Sequence, residues 1–75
     1  MIDPRDLAAE RLDEIAAELE QAAAHCRVAA THYRERVVPR AAAHAWAAFG
    51  HVHRGNDALM DLAVEHANHS VPNAE

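Results

Sequence analysis

From Leu12 to Tyr33 the apolar side chains recur at alternating steps of three and four: Leu12, Ile15, Leu19, Ala22, Cys26, Ala29 and Tyr33. That spacing lines up one stripe of an α-helix and excludes a strand, whose faces alternate every two residues. A helix start precedes the stripe. Asp3 can cap, Pro4 suits the first helical position, and Asp6 sits where a capping-box acid reaches back. One helix is expected from about residue 4 to about residue 36.

Val37-Val38-Pro39 is the next punctuation. Two β-branched residues precede a proline, and the residue before proline avoids the helical region. The chain is expected to turn here, with Pro39 opening a second helix. The competing reading is a proline kink in one continuous rod, because no glycine stands at the turn. Trp46, Phe49 and Val52 mark the second helix. Gly55-Asn56 then allows either one helix over residues 40–69 or a break near His53 and a third helix from Asp57 to about His69. Leu59, Met60, Leu62, Ala63 and Ala67 give the last segment its apolar face. The fold class is therefore all-α: a long N-terminal helix folded back near Val38-Pro39 onto one long or two shorter helices. The expected domain covers residues 1–70, with a frayed tail over 71–75.

Size limits what such a chain achieves alone. A domain of 75 residues buries only about 60% of its unfolded surface, and small scaffolds gain stability from disulfides, metals or assembly. The single cysteine, Cys26, excludes an internal disulfide. Abundant alanines let helices approach but bury little area each. A homo-oligomer (dimer or tetramer) or docking to a larger partner protein is the expected remedy. Leu12, Ile15, Leu19, Cys26, Tyr33, Trp46, Phe49 and Met60 are its core or interface residues, with Tyr33, Trp46 and Phe49 as the main anchors.

Charge is segregated along the chain. Residues 1–20 hold seven acids and two arginines, residues 21–54 five arginines and one acid, and residues 55–75 four acids and no arginine. Folding at Val38 brings the acidic ends together and gathers Arg27, Arg34, Arg36 and Arg40 toward the turn. Such poles suit head-to-tail pairing. A net charge of −5 with so few arginines is no nucleic-acid footprint. No run of about 18 apolar residues is present to span a membrane. The acidic N-terminus lacks the basic-then-apolar layout of a secretory signal, and a lone cysteine fits a reducing compartment, so a cytoplasmic protein is expected. All seven basic residues are arginines, a codon-usage sign of a GC-rich bacterial genome.

Seven histidines stand out. His25 and His32 are seven apart, as are His44 and His51, and both pairs sit in a repeated Ala-Ala-Ala-His context. Two turns of helix separate the members of each pair by about 10 Å. That is too far for one metal, whose bonds to nitrogen are about 2 Å long. Residue 38 is the midpoint of both His25–His51 and His32–His44, so a hairpin there predicts two cross-helix histidine rungs. A second group, His53, Glu65, His66 and His69, with Asp57 and Asp61 between, runs down the C-terminal segment. Mixed imidazole–carboxylate ligation suits zinc, nickel or iron, and paired histidines suit haem. Ligation by His25, His32, His44, His51, His53, Glu65, His66 and His69 is thus the alternative to the leading expectation. That expectation is a small non-enzymatic helical module that self-associates or docks a partner, with histidines that make its interface pH-responsive. No convergent acid–base set points to an enzyme.

Overall fold

The computed structural model describes residues 3–72 and consists of two antiparallel helices, α1 (Pro4–Arg34) and α2 (Val38–Asn68). The expected tail over 71–75 lies in part outside these residues; Val71 and Pro72 are non-helical. Asp3 caps α1 by accepting the Arg5 backbone N–H at 2.8 Å, and Pro4 occupies the first turn.

The chain does turn before Pro39, and it does so without glycine. Arg36 adopts φ 65°, the left-handed region. Its N–H donates to the Tyr33 carbonyl at 3.1 Å, and the Val37 N–H donates to the His32 carbonyl at 2.8 Å. These paired bonds form a Schellman motif, with arginine in the place that glycine usually holds. Val37 then stands at the start of α2 with no side-chain cap, and Pro39 lies in the first turn of that helix. Gly55 does not break α2, which runs unbroken as the longer of the two arrangements considered.

The seam between the helices is made of small residues. Ile15, Ala22 and Ala29 are buried on α1, and Ala41, Ala48 and Gly55 on α2. Each set steps by seven, the repeat that keeps one stripe facing its partner. The two sets mirror each other about residue 35: Ala29 with Ala41, Ala22 with Ala48, Ile15 with Gly55. The hairpin axis thus falls three residues before the Val38 midpoint expected from the histidines. Close approach explains the composition. A Cβ built on Gly55 would meet the Leu19 Cδ2 at 3.3 Å.

The seam leaves most of the residues expected in the core or interface outside the buried line of the single hairpin. Tyr33, Trp46 and Phe49 are exposed, Trp46 at 73% and Phe49 at 61%. Leu12, Leu19 and Met60 are likewise exposed, as is Cys26, while Ile15 is buried as expected. Two helices share only one narrow line, and the smallest side chains occupy it because they let the backbones approach. Leu12, Leu19 and Tyr33, three or four positions from the seam residues, are turned out to the flank. No helix among the described residues is long and apolar enough to cross a membrane.

Candidate functional site

The seven-residue step that builds the seam also builds its two flanks. On α1, Arg11, Glu18, His25 and His32 follow one flank, while Leu12, Leu19, Cys26 and Tyr33 follow the other. On α2, His44, His51, Ala58 and Glu65 face the polar flank of α1; Ala45, Val52 and Leu59 border the apolar one. The hairpin therefore has a polar edge and an apolar face.

Polar contacts recur along this edge. Near the termini, Arg11 Nη1 donates to Glu65 Oε2 at 2.7 Å. Glu18 Oε2 lies 2.6 Å from His51 Nδ1 and 3.4 Å from Arg54 Nη2. The His51 hydrogen bond holds the Glu18 carboxyl below the usual carboxylate range against the opposing effect of desolvation, with the nearby Arg54 charge adding to the lowering. Four imidazoles continue the line. His51 stacks on His25 with ring centroids 5.4 Å apart, His25 and His44 bring their Nδ1 atoms to 2.9 Å, and His44 stacks on His32 at 5.6 Å. Both expected pairs, His25–His51 and His32–His44, are thus in ring contact. The His25–His44 hydrogen bond joins them into one zigzag column. At its far end the buried Nδ1 of His32 has no hydrogen-bond partner, and the nearest carboxylate oxygen, Glu35 Oε2, is 4.0 Å away.

The second histidine group is dispersed. His53 pairs with Asp57 at 3.3 Å on the exposed side of α2. Glu65 is engaged by Arg11. His66 and His69 border a shallow recess with Pro4 and Leu7 at the terminal end. Among the described residues no three His, Cys, Asp or Glu side chains come together in a group able to hold a metal ion.

On the apolar face, Leu12, Leu19, Tyr33, Val38, Val52 and Leu59 are all exposed. Near the turn, Tyr33, Ala42, Ala45, Trp46 and Phe49 line one open groove. Trp46 meets Phe49 edge-on, with centroids 6.1 Å apart. The alanine floor and aromatic walls give this end a hollow, whereas Leu12 and Leu59 give the terminal half of the face its bulk.

No protein-family model, curated protein or solved structure matches this chain. A functional reading therefore rests on the geometry of the two flanks. The polar edge closes the hairpin on itself through hydrogen bonds and stacked rings, whereas the apolar face has no partner among the described residues. The seven-residue recurrence of small residues was the sequence signal for the seam, and the polar and apolar flanks follow from it three and four residues on.

Proposed function

We propose that the chain is a self-association module whose apolar face packs against a second copy to complete a four-helix bundle. The observation that carries this reading is the surface left over. The chain exposes 6137 Å² for a mass of 8.2 kDa, where a folded monomer of that mass exposes about 4,500 Å². The radius of gyration is 17.4 Å, against about 11 Å for a compact chain of this length. An excess of about 1,600 Å² per copy corresponds to an interface of the size found in permanent homodimers.

The nature of the exposed surface supports the same reading. Large aromatic and aliphatic residues in one contiguous area mark an association surface. Trp46 and Phe49 combine a large apolar body with few rotatable bonds, as interface anchors do. Sedimentation equilibrium on the purified chain at neutral pH is the test. A mass of twice 8.2 kDa, unchanged by a chelator and by added zinc, is the expected result. A stably folded monomer overturns the proposal, and an oligomer that forms only with zinc replaces it with the metal-dependent alternative.

A further inference from the structure

We propose that the two copies pair antiparallel, the turn end of one over the terminal end of the other, about a two-fold axis near Leu19 and Val52. This rests on the self-association reading and specifies how its surface is used. Three features of the face carry it.

The first is size. From turn to termini the face presents successive cross-helix pairs: Tyr33 and Val38, Cys26 and Ala45, Leu19 and Val52, Leu12 and Leu59, Arg5 and His66. Rotation about the central pair places Cys26 and Ala45 of one copy against Leu12 and Leu59 of the other. Small then meets large at both places, and the two layers stay evenly spaced at native density. A parallel pairing sets two leucine pairs against each other and leaves a void between two Cys–Ala pairs, with the loss that unfilled space brings.

Charge is the second feature. The terminal half, residues 3–20 and 54–72, holds ten acidic side chains against three arginines. The turn half, residues 21–53, holds four arginines against Glu35 alone. Antiparallel pairing lays each acidic half over a basic one, whereas parallel pairing sets the two acidic halves side by side.

The third is the groove. Its walls, Tyr33, Trp46 and Phe49, stand on the turn half, spread on either side of the level of Cys26 and Ala45. Antiparallel pairing brings the leucines of the terminal half of the other copy to that level. Two aromatic grooves facing each other in a parallel pair have no such filler.

The native cysteine makes the arrangement measurable. Cys26 lies seven residues, about 10 Å, from the proposed axis. In the antiparallel dimer the two copies of Cys26 are about 20 Å apart along the bundle, far beyond the roughly 7 Å between Cα atoms that a disulfide allows. In a parallel dimer they face each other. Copper-phenanthroline oxidation, followed by non-reducing electrophoresis, would be run on three proteins: the native chain, Leu19→Cys combined with Cys26→Ser, and Leu12→Cys retaining Cys26.

The expected result is little covalent dimer from the native chain and at least tenfold more from the other two. In the third protein, a disulfide linking position 12 of one copy to Cys26 of the other would appear in a non-reducing digest. Efficient cross-linking of the native chain through Cys26 overturns the antiparallel pairing and establishes the parallel one. A dimeric mass with no cross-link in any of the three overturns the use of this face. A monomeric mass overturns the self-association reading itself, so the two failures are told apart by sedimentation alone. Because Leu12 and Leu19 are separate positions on the face, a folding defect in one variant leaves the other to decide.

Discussion

Arg36 is the residue on which the hairpin turns, and nothing in its type announces that. Its left-handed φ of 65° brings Cβ close to the following carbonyl and costs about 1–2 kcal/mol in an L-residue. Glycine avoids this at the price of greater freedom in the unfolded chain, worth about 0.5–1 kcal/mol. Arg36→Gly is therefore expected to stabilise the protein by about 0.5–1 kcal/mol, a rise of several degrees in melting temperature for a chain of this size. Thermal melts of both proteins at one protomer concentration check it, and an unchanged or lower melting temperature contradicts the account of the turn. The missing glycine also explains why the sequence left a turn and a kink both open at Val38-Pro39. The Schellman bonds are made by backbone groups of His32, Tyr33, Arg36 and Val37, and the arginine side chain at their centre gives no sign of them.

At the scale of the elements, the polar edge couples the hairpin to pH. Glu18 is held below the ordinary carboxylate range by its bond to His51, so its contribution is present above that range. It is lost as pH falls through the lowered value. The imidazole column responds to protonation through its geometry. Its ends have carboxylates beside them, Glu18 at His51 and Glu35 near His32, and Arg54 adds a positive charge at 3.1 Å from His51. The central pair, His25 and His44, is bonded only to itself among the described residues. Once both rings carry charge that bond has two donors and no acceptor, and like charges about 5 Å apart repel by about 1–3 kcal/mol at partly exposed positions. Stability is thus expected to fall as pH drops below the ordinary carboxylate range toward the lowered value of Glu18. Glu18→Gln should flatten that fall. Urea titrations across this range check the slope, and a Glu18→Gln variant that loses stability as steeply as the parent contradicts the role of the Glu18–His51 bond. The first helix was legible in the three-and-four stripe and the Asp3-Pro4 start, the second in Pro39, Trp46, Phe49 and Val52 with its continuity at Gly55 left open, and the histidine pairs in their common spacing. Which line of the stripe would be buried was not, because apolar character favours leucine and tryptophan while the contact of two helices favours alanine and glycine.

The whole molecule measures 55 × 28 × 16 Å, a slab one helix thick. In such a slab each seam residue is covered by the facing helix and by nothing above or below it. That is why the buried set contains nothing larger than Ile15 among the described residues. A second layer changes this for one side only, since the other carries Glu18, Glu65 and the histidine column, which bond mostly to one another and to neighbouring arginines. On the proposed self-association, the asymmetry favours a closed pair of hairpins over an open stack, because each copy offers one apolar face to the other. Folding and association are then one equilibrium, and the melting temperature is expected to rise with protomer concentration. Trp46 and Phe49, at 73% and 61% exposure in the single hairpin, are the side chains with most to gain from the second layer. Each substitution, Trp46→Ala or Phe49→Ala, is expected to cost at least about 1.4 kcal/mol of association, a tenfold or greater rise in dissociation constant. Neither touches the seam, so helix content at high concentration should persist. Melting curves by circular dichroism over a hundredfold range of concentration check this for the parent and both variants. A parent melting temperature that does not depend on concentration, or variants that dissociate no more readily than the parent, would show that the second layer is not made by this face.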